Sequence, residues 1–295
     1  MMRVTQQTLA RQTLFDLNST TNRLAEIQQQ LSTGKQISKP EDDPFGTGRA
    51  LSLRDELSDV QQYQRNINDG VAWLQQSDTA LGNVSSLMSQ VRTLVIQGGN
   101  GTLDASALKS IAVQVGQIKE SLRDQANTTL DGRYVFSGTQ TKTQPFPAPG
   151  NAFAGNTNLV QRQIGDGQKV PVNQDSTAVF GPNGNNVFDL LDRIQLDLNS
   201  GNSAGLQAQD LTDLDAAMDK VSAGRSNVGA VQNRLTTQLS RLKDAEVNVK
   251  DLLSKTEDAD MAKTMVNFSM TQTVYQAALQ AGAKVIQPTL MDFLG

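Results

Sequence analysis

The side chains able to do chemistry are few. The 295-residue chain contains no histidine and no cysteine. The usual general base at neutral pH, the commonest metal ligand, thiolate nucleophiles and disulfides are therefore all missing. Carboxylates, lysine, tyrosine and hydroxyls remain. Their densest cluster, Glu41-Asp42-Asp43, lacks the alternating ligands of a calcium loop and reads as a solvated acidic loop. Gly46-Thr47-Gly48 has neither the preceding strand nor the remaining residues of a phosphate-binding fingerprint. Trp73 and the trio Met261, Met265 and Met270 read as packing, with a partner-facing surface as the alternative for the methionines. No catalytic group, metal or cofactor is expected, and the chain is not read as an enzyme.

Composition agrees with a structural role. The formal charge is −4, with 26 Lys+Arg against 30 Asp+Glu, which argues against nucleic acid as a partner. Apolar residues make up 37% and aromatics 4%, too few for a thick globular core but enough for thin seams between long helices. No stretch approaches the ~20 apolar residues of a membrane span. The start, Met1 to Gln7, lacks the apolar stretch of a secretory signal.

The elements that must carry any surface are set out by proline, which breaks helix interiors. The 8 prolines leave two long free spans, between Pro44 and Pro145 and between Pro182 and Pro288. Six helical regions are predicted, three on each side of the middle of the chain. The first runs from about Val4 to Ser32, with Ala10, Leu17, Leu24 and Leu31 seven apart, Leu14 on the companion track and Ile27 beside it, stopping at Gly34. The second runs from Gly46 to Gln97. The third is capped by Asp104 and runs to about Leu130. From the other end, a long helix covers about Leu206 to Leu253. Its heptad is Val228, Leu235, Leu242 and Val249, with Val231, Ala245 and Leu252 as companions. A last helix is expected to be capped by Thr256 and to carry Met261, Met265, Phe268, Tyr275 and Leu279 towards Pro288. A shorter helix starts near Val187 and breaks at Gly201.

Between Gly132 and Pro182, glycine, proline and aromatics concentrate. Arg133–Phe136 and Val160–Ile164 read as strands, with a turn at Gly165-Asp166-Gly167. The expected fold is mainly α: a long antiparallel helical bundle or coiled coil built from both chain ends, with a small central β-rich insert. The expected division is residues 1–40 with 256–295, residues 41–132 with 185–255, and the insert at 133–184.

Several blocks carry a family resemblance. Leu31-Ser32-Thr33-Gly34-Lys35-Gln36-Ile37-Ser38-Lys39-Pro40-Glu41-Asp42-Asp43-Pro44 and Arg65-Asn66-Ile67-Asn68-Asp69-Gly70-Val71-Ala72-Trp73-Leu74 resemble the N-terminal region of bacterial flagellins. Asn227 to Leu235 and Thr256 to Ala262 resemble the C-terminal region. Tyr134-Val135-Phe136-Ser137-Gly138-Thr139, Gln144-Pro145-Phe146 and the end Thr289 to Gly295 resemble the hook-associated branch of that superfamily, as does Pro44, where flagellins often carry a small non-proline residue. The resemblance implies a structural subunit at the hook–filament junction, or alternatively a short flagellin of the filament itself. It implies an extracellular location, reached through the flagellar secretion channel without a cleaved signal peptide. The implied partners are a hook-side hook-associated protein, flagellin, copies of the same chain, and an export chaperone with the secretion apparatus. The assembly interface is then expected at Leu14, Leu17, Leu24, Ile27, Leu31, Met265, Phe268, Tyr275, Leu279, Leu290 and Phe293. Val228, Leu235, Leu242 and Val249 are expected to form an internal seam.

Overall fold

The structure, a computed structural model, describes residues 6–286. Leu290 and Phe293 lie outside the described residues. The fold is mainly α, and long helices come from both chain ends. The chain forms two compact units, Met1–Asp59 with Glu246–Gly295, and Val60–Ala245.

In the first unit, α1 (Gln6–Thr33) ends where Gly34 adopts a left-handed φ of +70°, a conformation costly for residues with a Cβ. The following loop is folded locally. Asp42 Oδ2 accepts from the backbone N–H of Ser38 (3.0 Å) and Lys39 (2.8 Å). These two N–H groups hold the Asp42 carboxyl below the ordinary carboxylate value. Asp43 Oδ1 accepts from Phe45 N–H and Gly46 N–H, at 3.1 and 2.9 Å, capping α2 (Pro44–Gly99). The helix thus starts two residues earlier than expected, with proline at the first helical position, where a missing N–H is harmless.

At the other end, α7 (Leu211–Glu257) runs past Thr256. The Thr256 hydroxyl donates back to Leu252 O at 2.7 Å. It caps nothing, because the preceding helix continues through it. Asp260 is the cap of α8 (Met261–Ile286): its Oδ1 accepts from Lys263 N–H at 3.0 Å.

In the second unit, α2 and α7 run antiparallel. Arg92 pairs with Asp215, Arg225 with Asp78, and Gln64 Nε2 donates to Leu242 O at 3.2 Å. As the α2 number rises, its α7 partner's number falls. Val228 and Leu235 are fully buried and Leu242 nearly so. Val249, which belongs to the first unit, is also buried, whereas its companion Leu252 is exposed.

Helix α3 (Ala105–Ala126) has the expected Asp104 cap, at 2.8 Å from Ala107 N–H. It stops short of Leu130 because Asp131 (φ +49°) and Gly132 (φ +70°) turn the chain into a hairpin of β1 (Thr129–Leu130) and β2 (Arg133–Tyr134). A second hairpin pairs β3 (Gln161–Gly165) with β4 (Gln168–Pro171). A short α4 (Ser176–Phe180), unforeseen in the sequence, is capped by Asp175. Helix α5 (Val187–Ser200) opens with a capping box of Asn186 and Asp189 and closes on left-handed Gly201. The turn α6 (Ser203–Gly205) leads through one π-helical turn, Leu206–Asp210, into α7.

The insert is held by aromatics more than by its short strands. Phe146 packs against Phe188, Phe180 and Phe153 with ring centroids 4.8, 5.4 and 5.5 Å apart, and Phe136 meets Phe180 edge-on. Arg123, almost wholly buried, lies over the Phe188 ring at 5.5 Å and donates to Gly150 O at 2.8 Å. These residues share one core with α2, α3, α5 and α7.

Candidate assembly surface

Among the described residues no group of three or more acidic side chains is placed to hold a metal ion, and no helix is long and apolar enough to cross a membrane. Exposed apolar side chains stand on several helices. Helices α1 and α8 pack together in the first unit. Their direction is fixed at both ends. Near the chain reversal, Ala259 N–H donates to Gly34 O at 2.9 Å, Gln36 N–H donates to Glu257 O at 2.7 Å, and Lys35 bridges Asp258. Further along, Gly282 lies so near α1 that a Cβ on it would sit 3.2 Å from Thr13 Cγ2. Residue numbers again run in opposition, so the pair is antiparallel.

A polar knot ties the reversal. Glu257 is buried, with Oε1 2.7 Å from Lys35 Nζ and Oε2 bonded to Arg54. It joins the end of α7 to the loop after α1 and to α2. Charge-assisted bonds of this kind, shielded on the carboxylate side, are stronger than exposed pairs.

The structure divides the interface residues expected from sequence into two sets. Leu17, Leu24, Leu31, Phe268 and Tyr275 are half-buried and Ile27 is buried. On α1 the covered positions follow the heptad (Thr13, Leu17, Thr20, Leu24, Ile27, Leu31), which marks them as the seam facing α8. On α8 the covered positions are Thr264, Asn267, Phe268, Thr271, Tyr275, Ala278 and Gly282. Leu14, Met265 and Leu279 are exposed at 53%, 55% and 43%.

Further apolar side chains stand beside that exposed set. Phe15 on α1, and Met261, Val266, Met270 and Val274 on α8, are all exposed. Val266, Met270 and Val274 are four residues apart and line one face, turned away from the seam. Helix α8 therefore carries a second apolar strip outside the seam. The four-residue spacing is legible in the sequence, but its exposure depends on which face α1 covers.

These features define a structural subunit with an outer helical face that the described residues leave uncovered. Residues 4–141 match the bacterial flagellin N-terminal helical region, and residues 211–294 match the bacterial flagellin C-terminal helical region. The chain belongs to the bacterial flagellin family. It is similar to flagellin of Bacillus subtilis (strain 168), with 30% identity over 294 residues covering 94% of each chain. It is also similar to flagellar hook-associated protein 3 of Escherichia coli (strain K12), with 26% identity over 305 residues covering 95% of this chain and 96% of the relative. The fold matches the crystal structure of flagellar hook-associated protein-3 from Legionella pneumophila at a TM-score of 0.63 and 16% identity, covering 70% of this chain and 98% of that one.

Proposed function

We propose that this chain is the subunit that joins the hook to the flagellin filament, outside the cell, and that it assembles through the α1–α8 pair. The observation that carries the assembly is the uncovered face of α8, Val266, Met270 and Val274, with Met261 and Met265 on its flank. Burying each such side chain is worth roughly 1.5–3 kcal/mol, so contact with neighbouring copies stabilises a pair that a single chain leaves half covered. Residues 1–40 and 256–295 form the assembling layer in this reading. Residues 41–132 and 185–255 form the rod, and residues 133–184 form the outer insert. Its partners are copies of itself, flagellin on one side and a hook-side hook-associated protein on the other. An export chaperone and the flagellar secretion apparatus deliver it.

The junction reading is supported by the hook-associated relative and by Tyr134-Val135-Phe136-Ser137-Gly138-Thr139, which builds the insert. Val135, Phe136 and Ser137 are buried there, and the Ser137 hydroxyl donates to Gln140 O at 2.7 Å. A second reading, a flagellin of the filament itself, is favoured by the 30% identity to the Bacillus subtilis flagellin. Deleting the gene and viewing cells by electron microscopy separates the two. Hooks without filaments, with flagellin shed into the medium, are the expected result. Normal filaments on the mutant would overturn the junction role.

A further inference from the structure

In the second unit, α7 passes beside the β3–β4 hairpin, and a recess of about 430 Å³ opens between them. Ile164 and Gln168 line it from the hairpin, and Arg234, Gln238 and Arg241 line it from α7. Gln238 Nε2 reaches across to Ile164 O at 3.4 Å. The two arginines are seven residues apart, ~10.5 Å along one face of a helix, yet both side chains border the same recess. Both residues are exposed. Among the described residues neither has a carboxylate partner, whereas Arg225 on the same helix pairs with Asp78, and Arg92 with Asp215. Two guanidinium groups converging on amide-lined space, with no acid to neutralise them, suit carboxylates held in a fixed array.

The same unit carries the complementary array. On α3, Glu120 and Asp124 are four residues apart, ~6 Å along the axis, and both are exposed. Asp124 has no cationic partner among the described residues, and Glu120 has only a long 3.5 Å approach to Arg123.

We propose that Arg234 and Arg241 form a docking recess for a second copy of this chain, which inserts the Glu120–Asp124 face of its α3. A contact between two different patches on identical subunits does not close on itself unless the rotation does, so it builds rings or helical arrays. The inference rests on the self-assembly reading above and assigns it a second contact, independent of α1 and α8.

Charge exchange tests it. Cells lacking the natural chain would express Arg234→Glu with Arg241→Glu, Glu120→Arg with Asp124→Arg, or all four changes. Incorporation is scored by labelled antibody in whichever flagellar structure holds the wild-type chain. All four side chains are on the surface, and melting curves of the purified variants show whether the fold persists. Each reversed pair should lower incorporation by about fivefold, as loss of an exposed ion pair does. The fourfold variant should recover to within about twofold of wild type. Full incorporation of either reversed pair would overturn the inference while leaving the junction reading intact. Loss in both pairs without recovery in the fourfold variant would overturn the assigned partner face. Wild-type chain found along the filament instead of at the junction would overturn the junction reading alone, since the exchange is scored there equally well.

Discussion

Glu257 stands 222 residues from Lys35 in the chain, yet its Oε1 accepts a hydrogen bond from Lys35 Nζ at 2.7 Å while Oε2 bonds Arg54. One buried carboxylate thus fixes the place where α1 ends and α8 begins. Both cations are partly exposed, so salt screens part of the attraction. Glu257→Ala should cost about 1–3 kcal/mol in the first unit. Hydrogen exchange would show it as faster opening at Gln36 and Ile37, whose N–H groups bond Glu257 O. Unchanged exchange there would show that the backbone contacts alone hold the reversal.

The outer face of α8 is separable from its seam. Val266, Met270 and Val274 changed together to serine should leave the melting curve within about 0.5 kcal/mol of wild type, because exposed substitutions cost little. Incorporation into flagella should nevertheless be lost. Normal incorporation of the triple variant would remove α8 from the assembly interface.

Leu24 and Leu242 contrast the two units. Leu24→Asp places a charge in the half-covered α1–α8 seam and should abolish incorporation while the second unit melts as before. Leu242→Asp buries a charge in the α2–α7 core and should lower the main unfolding transition by several kcal/mol. Equal thermal shifts in the two variants would contradict this separation.

Arg123 anchors the insert from α3, through Gly150 O, Asn151 Oδ1 and the Phe188 ring. Arg123→Ala should destabilise the second unit by about 3 kcal/mol, through unpaired carbonyls and lost packing. A urea titration read on tyrosine and tryptophan fluorescence would measure it.

Two aspartates on α7 and its approach should respond to pH in opposite directions. Burial pushes the Asp210 carboxyl up, against the pull of Arg193 and with the nearby Asp197 charge adding to the rise. A group raised in the folded state stabilises below its unfolded value, and that stabilisation is lost as pH climbs through the folded value. Wild type should therefore lose stability relative to Asp210→Asn as pH rises above 3.8. Asp215 is held low by its hydrogen bond from Arg92. Its contribution is present above 3.8 and lost as pH falls below it, so wild type and Asp215→Asn should converge in acid. Calorimetry of the three proteins between pH 3 and 7 checks both slopes.

Much of the architecture was legible in residue order. The long proline-free spans hold the long helices, α2 and α3 in the first and α7 and α8 in the second. Gly34 and Gly201 ended their helices in left-handed conformations, and Asp104 capped α3. Such features are local, set by backbone sterics and a side chain reaching three residues along. Misreadings arose where neighbours compete. Thr256 is as good a cap by type as Asp260, but Thr256 lies inside a helix that packing carries on to Glu257. Helix α3 is expected to run to about Leu130, but a hairpin at Asp131 and Gly132 takes its last residues.

By itself the sequence determined the long helices, the absence of histidine and cysteine chemistry, and the heptads at both ends. Only the tertiary structure decided which apolar residues are consumed within the chain and which remain outside. Periodicity marks a residue as apolar and facing one way, but coverage depends on what lies opposite. Leu24 faces α8 while Met270 faces none of the described chain, and that difference comes from contacts between elements more than two hundred residues apart.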